Sequence, residues 1–311
     1  MNSLAPHPLL TEPHKTRETL ERRLKDDQLA ARQRVRRLGE TLIAMGLITR
    51  REAEKVARLQ IKTNKPFGRI ALEQRFVKPD DIQAAIGVQF GMLRALPGDG
   101  NQVPKIPEGL VVLRQPHADV AEQMRLIRTR LITSCNPADL TAISMIDFGT
   151  STATLSLACN LAAAFAQLHR RVLIIDCNLR QPSLHQFFNM GRDRGLMEYL
   201  TGRARFDDVT VPSLVTRLDL LTAGHRAYNP QILLGSDSFD SLLKRARRDY
   251  DVVFLLSSGF GPVADGQFVW QKSDSALIVP HKHKTRESEL KQLSAVLYDL
   301  DTKILGAVLA R

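Results

Sequence analysis

Ala142-Ile143-Ser144-Met145-Ile146-Asp147-Phe148-Gly149-Thr150-Ser151-Thr152-Ala153-Thr154-Leu155-Ser156-Leu157-Ala158-Cys159-Asn160-Leu161-Ala162 is the stretch on which the fold turns. Its first five residues are an apolar run short enough for a buried strand, and from about Thr154 the Ala- and Leu-rich continuation reads as a long helix. A strand, a loop of small residues and a helix is how a phosphate-binding loop is built. Such a loop uses glycines to let backbone N–H groups curl around phosphate, a Lys for the charge and a Ser/Thr for Mg²⁺. Asp147 to Ser156 holds one glycine and no Lys or Arg. The frame is there, and the groups that would grip a triphosphate are mostly not.

Downstream, Arg171-Val172-Leu173-Ile174-Ile175-Asp176 reads as a second buried strand, and further strands are expected at Leu218–Thr222, Val252–Leu256, Ala276–Val279 and Ile304–Leu309. Apolar strands alternating with helical patterns predict a parallel sheet covered on both faces. A ligand crevice then lies at the carboxyl ends of the strands, where Asp147, Asp176 and Ser257 fall. Trp270, the only tryptophan, sits in an apolar helical stretch and reads as core. His281-Lys282-His283-Lys284 reads as a basic loop on the crevice rim. With no carboxylate or Cys beside it, no metal site is expected.

Upstream, a tandem repeat runs from Arg37 to Gln89. Arg37-Leu38-Gly39 is answered by Pro66-Phe67-Gly68, Gly46-Leu47-Ile48-Thr49 by Arg75-Phe76-Val77-Lys78, and Gln60 by Gln89, all at one offset. Each unit reads as two helices, the second opened by Thr49 or by Pro79-Asp80. Residues 92–117, with Pro97-Gly98-Asp99-Gly100, Pro104, Pro107 and Pro116, read as a linker. Residues 1–36 read as a basic tail, disordered or helical in part. The expected architecture is therefore a small all-α domain over 37–91, a linker, and a doubly wound, mostly parallel α/β domain over 118–311.

A net charge of +11 over 311 residues permits attraction to anionic partners without naming one. Cys135, Cys159 and Cys177 have no metal-like spacing and read as reduced, buried thiols. No apolar run is long enough to span a bilayer, so the chain is expected to be cytoplasmic, reaching the inner membrane through a partner. The helix near Ala118 carries Glu122, Arg125 and Arg128 at successive three-residue steps, hence along one face.

These motifs carry two resemblances. The tandem resembles the N-terminal module of type II secretion ATPases (the GspE N-terminal domain) and its cyclic di-GMP-binding MshEN version, in which 24-residue R-L-G…Q units are joined by five residues. Arg37–Gln60 and Pro66–Gln89 have that length, with Ile61–Lys65 between. Carried over, the residues implied for cyclic di-GMP are Arg37, Leu38, Gly39, Gln60, Phe67, Gly68 and Gln89. The other reading is a docking module whose glycines serve helix packing.

The segment from Ala118 to Arg311 resembles the catalytic domain of bacterial tyrosine kinases (BY-kinases), a branch of the MinD/ParA-type P-loop ATPases. The marks are Glu122-x-x-Arg125-x-x-Arg128, Leu173-Ile174-Ile175-Asp176-Cys177-Asn178-Leu179-Arg180-Gln181-Pro182-Ser183, Asn229-Pro230 and Tyr250-Asp251-Val252-Val253. With the front repeat, the arrangement is similar to soluble EpsG-type chain-length-determinant kinases of exopolysaccharide loci. The resemblance implies that Glu122, Arg125 and Arg128 build a homo-oligomer and that a membrane polysaccharide co-polymerase or chain-length determinant is the partner; nucleic acid is not the expected partner, ParA-like DNA binding through the positive surface being the minor alternative.

The departures fall on the catalytic groups. Counting back from Asn160-Leu161-Ala162, the family's phosphate-binding Lys falls on Thr154 and its Mg²⁺-binding Ser/Thr on Leu155. The second acidic position is Asn178, and the third motif reads Leu256-Ser257-Ser258. Asp176 is left as a vestigial catalytic residue. Gly149, Thr150, Ser151, Thr152, Thr154, Asn178 and Arg180 outline a degenerate nucleotide site from which ATP and Mg²⁺ are expected to be lost. The family's C-terminal tyrosine cluster is absent as well. The expectation is a catalytically impaired homologue, a pseudokinase regulating exopolysaccharide assembly. The competing expectation is an active kinase or ATPase in which Arg180 or Lys282 replaces the missing Lys.

Overall fold

The computed structural model describes residues 37–94, 105–149, 152–261 and 264–310. The expected tail over 1–36, Thr150, Ser151 and the middle of the expected linker lie outside the described residues. In chain order the helical module is α1 (Leu38–Ala44), α2 (Arg50–Thr63), α3 (Phe67–Glu73) and α4 (Pro79–Gln89). Then come α5 (Val111–Arg114), α6 (Asp119–Ser134), β1 (Ala142–Asp147), α7 (Thr152–Ala166), β2 (Val172–Asp176), α8 (Leu184–Phe187), α9 (Leu196–Leu200) and α10 (Phe206–Val209). The chain continues through β3 (Thr210–Pro212), β4 (Leu218–Leu221), α11 (Pro230–Leu234), α12 (Asp237–Asp249), β5 (Val252–Leu256), α13 (Asp265–Lys272), β6 (Ser275–Val279), α14 (Glu287–Asp299) and β7 (Lys303–Ala307).

The seven strands form one sheet in the order β3-β4-β2-β5-β1-β6-β7, parallel throughout except for the antiparallel β3–β4 pair at one edge. β1, β2, β5 and β6 are buried at every position, as strands covered on both faces must be. Their side chains alternate between two cores. Ile143, Met145, Ile174 and Phe254 face one, and Ile146, Leu173, Ile175 and Leu255 the other. The first core contains α7, of whose 15 residues 12 are buried, which is why its sequence is apolar on all sides. The second contains Trp270 and the amphipathic α12, whose Phe239, Leu242, Leu243 and Ala246 fall at i, i+3, i+4 and i+7.

The front repeat folds as two helix pairs around their own core of Leu42, Ile48, Val56, Ile70, Val77 and Ile82. Thr49 opens α2 by accepting the Glu52 N–H at 3.2 Å while the Glu52 carboxylate accepts the Thr49 N–H at 2.7 Å, a reciprocal cap. Asn64 closes α2 in the left-handed conformation, φ 52°.

Within the stretch read as a linker, both ends are built into the α/β domain. Leu93 is 3% exposed in the first core and forms an antiparallel bridge with Val215, flanked by Arg94 N–H to Leu214 carbonyl (2.8 Å) and Thr216 N–H to Met92 carbonyl (3.0 Å). Arg94 also pairs with Asp219 at 2.7 Å. At the other end, the buried Asn160 side chain on α7 donates to the Gly109 carbonyl at 2.7 Å and accepts the Val112 N–H at 3.0 Å. Among the described residues, no helix is long and apolar enough to cross a membrane.

Candidate functional site

β1 has β5 on one side and β6 on the other, so the direction in which successive strands are added reverses here, and the crevice opens at the carboxyl ends of these parallel strands. Asp147 ends β1 and Asp176 ends β2, in register with Leu256 of β5. Leu256 is buried in the first core, so the third motif places a hydrocarbon side chain where a carboxylate is expected in the resembled family.

Asp176 is fully buried and its carboxylate is consumed by the backbone. One oxygen accepts the Asn178 N–H at 3.1 Å, the other the Ser183 and Leu184 N–H groups at 2.9 and 3.0 Å. Burial outweighs these donors and pushes its pKa up to about 6. Asn178, at the second acidic position, is a turn residue whose side-chain oxygen accepts the Gln181 N–H at 3.0 Å. The two motif positions therefore hold the loop together.

Arg180 does not stand free. Its guanidinium makes a two-pronged ion pair with the buried Asp265 at the start of α13, which raises the arginine pKa further. Lys282, the other proposed substitute cation, is exposed on the loop after β6 and pairs with no carboxylate among the described residues. His281 and Lys282 are tied to the end of the chain, with Lys282 N–H donating to the Ala310 carbonyl at 2.9 Å.

On the loop after β1, Gly149 N–H donates to Asp147 Oδ1 at 3.3 Å, and the Phe260 N–H to the Asp147 carbonyl at 2.7 Å. The loops after β1 and β5 are thus joined. Phe148 and Phe260 meet edge to face at 5.9 Å, and a Cβ on Gly259 would sit 2.0 Å from Asp147 Oδ1. Thr152 is exposed, Thr154 is buried with an unpartnered Oγ1, and Leu155 is buried in the first core. Thr150 and Ser151 lie outside the described residues. Among the described residues, a buried threonine and a core leucine stand where the resembled family has its phosphate-binding Lys and Mg²⁺-binding Ser/Thr, so these two positions supply no cation for phosphate charge and no solvent-facing hydroxyl for Mg²⁺.

Glu122, Arg125 and Arg128, the residues expected to build an oligomer, make contacts within their own chain. Arg125 donates to the Pro116 carbonyl at 2.6 Å and pairs with the exposed Glu122 at 2.7 Å. Arg128 donates to the Ala164 carbonyl of α7 at 2.8 Å, and burial lowers its pKa. The three do not project together as one free face, because α6 lies on α7 and draws Arg128 down.

In the front module, five of the seven expected residues line one cleft of about 670 Å³: Arg37, Leu38, Gly39, Gln60 and Phe67. A Cβ on Gly39 would come within 2.9 Å of the Phe67 ring, so the glycine lets the two units close on each other. Gly68 packs instead between Leu38 and Ile82, and Gln89 closes α4 away from the cleft. Sequence reasoning missed Ile43, Arg50, Ala53, Glu54 and Ala57 on the cleft walls. The available signal was Ala53 and Ala57, small residues one turn apart in an otherwise long-chained helix.

Relatives of the α/β domain carry one activity in their names. The chain is 27% identical over 209 residues to the tyrosine-protein kinase YwqD of Bacillus subtilis, covering 67% of this chain and 88% of that one. It is 29% identical over 192 residues to the tyrosine-protein kinase ptk of Acinetobacter johnsonii, covering 61% of this chain but 26% of ptk. The α/β domain is homologous to bacterial tyrosine-protein kinases. Two solved structures share the fold of this kinase-like domain. The kinase domain of the Escherichia coli tyrosine kinase ETK aligns with a TM-score of 0.62 at 24% identity over 68% of this chain and 82% of that one. The chimerical protein CapA2B2 aligns with a TM-score of 0.61 at 24% identity over 73% and 97%. No family model matches the chain.

Proposed function

We propose that this chain is a regulatory, catalytically impaired member of an exopolysaccharide-assembly system, built on a tyrosine-kinase fold and fronted by a cyclic di-GMP-responsive module. The observation that carries the first half is the fate of the catalytic positions: Thr154 and Leu155 are buried, and the end of β5 carries Leu256, packed in the first core. Phosphoryl transfer is mostly positioning and charge neutralisation, so losing Lys, the metal hydroxyl and a metal-orienting carboxylate together removes its main supports. Exopolysaccharide assembly is supported by a relative, 26% identical over 185 residues, described as a tyrosine-protein kinase in the cps region of Klebsiella pneumoniae. On this reading the partner is a membrane chain-length determinant, and the kinase-like domain acts as a scaffold.

The second half rests on the cleft that gathers Arg37, Leu38, Gly39, Gln60 and Phe67. One binding screen of the purified chain with ATP, ADP, GTP and cyclic di-GMP, with and without Mg²⁺, tests both halves. Expected are cyclic di-GMP binding that Arg37→Ala weakens and no metal-dependent ATP binding at micromolar concentrations. ATP hydrolysis or tyrosine self-labelling abolished by Asp176→Ala would overturn the impaired-enzyme reading.

A further inference from the structure

The outer face of α2 in the front module has no part in the readings above. Arg51, Lys55, Arg58 and Lys62 recur at the i, i+4, i+7, i+11 spacing of one helical stripe, about 16 Å long, opposite the buried Ala53 and Val56. All four are exposed, and none lies within 4.0 Å of a carboxylate among the described residues. Several other charges of the module are paired: Lys65 and Arg69 with Glu73, Arg50 with Glu54, and Asp80 with Arg114 beyond the module. The two acids nearest the stripe are otherwise occupied, Glu52 by the Thr49 cap and Glu54 by Arg50 on the cleft side.

Beside the stripe, between Arg58 and Lys62, stands Ile61, 86% exposed. A shallow groove along the stripe is lined by the same four cations together with Glu52, Glu54, Leu59 and Phe76, and Lys55 sits over the Phe76 ring at 5.3 Å. From Arg37 to Arg94 the sequence holds eleven basic and six acidic side chains, so this face lies on the positive side of a positive module.

We propose that this face of α2 docks on an anionic lipid surface. Four exposed cations along one stripe of a single helix can meet a plane simultaneously, as a flat array of headgroups requires. The exposed Ile61 on the flank of the stripe supplies an apolar contact at the depth where basic side chains meet headgroups. Each such cation raises partition onto an anionic leaflet about five-fold. The chain then reaches a membrane without a spanning helix of its own, and the cyclic di-GMP cleft on the adjoining face of α2 stays open.

The test is sedimentation of the whole chain with vesicles of phosphatidylcholine alone and of phosphatidylcholine with roughly a third phosphatidylglycerol. Wild type is expected to sediment with the anionic vesicles only, less so as salt rises. Lys55→Glu with Arg58→Glu is expected to lower partition more than about ten-fold. Ile61→Asp should lower it several-fold, whereas Lys291→Glu, the same kind of charge change on α14, should leave it unchanged. Helical circular dichroism confirms that each variant is folded. Sedimentation unchanged by the α2 variants, equal loss with Lys291→Glu, or binding to RNA or an acidic polypeptide but not to vesicles would each overturn the proposal.

Discussion

Arg180 and Asp265, 85 residues apart, close a two-pronged ion pair that ties the loop after β2 to the start of α13 at the crevice mouth. Asp265 is buried, so removing the arginine leaves an uncompensated carboxylate. Arg180→Ala is expected to lower the melting temperature by several degrees. Asp265→Asn should cost less, since an amide is easier to bury, and it should release Arg180 into the crevice. Thermal melts of both variants, with and without ATP, check this. A gain in anion binding by Asp265→Asn alone would show that the ion pair withholds this cation from ligands.

The raised pKa of Asp176 sets a pH dependence of definite sign. With a folded value of about 6 against 3.8 unfolded, the native carboxyl keeps its proton after the unfolded one has lost it. Between those two values stability therefore falls as pH rises, by up to roughly 3 kcal/mol, and stays at the lower level above them. Asp176→Asn removes this group's titration. The difference between wild-type and variant unfolding free energies, measured from pH 4 to pH 7, is expected to slope in that sense; a flat difference would show that the three backbone donors balance burial.

The three cysteines separate by environment. Cys159 and Cys177 are buried, and desolvation, with Asp176 nearby, pushes both thiols well above their ordinary range. Cys135, at the end of α6, is partly exposed. Iodoacetamide on the native chain, read by peptide mass, is expected to label Cys135 first by a wide margin, with the other two following only on unfolding.

How much of this was legible in the sequence depends on range. The strands at Ala142, Val172, Val252 and Ser275 were readable because strands buried on both faces are written as continuous apolar runs. The front repeat was readable because its caps and turns recur at one offset. β3 was not, being three residues long and ending in Pro212 on an antiparallel edge. Arg180 with Asp265, and Arg94 with Asp219 at a separation of 125 residues, carry no local signal at all. In the sequence Asn160 is no more than one polar residue in an apolar helix, whereas its side chain clasps Gly109 and Val112, 51 and 48 residues earlier.

That clasp fixes the segment before α6 on the helix that follows the degenerate loop. Asn160 is 3% exposed and uses both its donor and its acceptor on backbone groups, so truncation leaves buried partners unmatched. Asn160→Ala is expected to cost about 1–3 kcal/mol. Hydrogen exchange should quicken in residues 109–114 while β1 and β5 stay protected, because the sheet does not depend on the clasp.

Gly39 and Gly68 occupy equivalent places in the two repeat units but have different neighbours, and this separates a ligand cleft from a packing device. A side chain on Gly39 would enter the space between α1 and Phe67, starting 2.9 Å from the ring, whereas a Cβ on Gly68 finds Leu38 and Ile82 at ordinary distances of 3.4 and 3.6 Å. If the cleft holds cyclic di-GMP, Gly39→Leu should lower its affinity at least ten-fold, with Phe67 displaced and the module still folded. Gly68→Ala should leave binding within about two-fold, since it adds one methyl where room exists. Calorimetric titration of both variants decides the matter: equal binding by Gly39→Leu and wild type would remove the dinucleotide from this cleft and leave the repeat as a docking module alone.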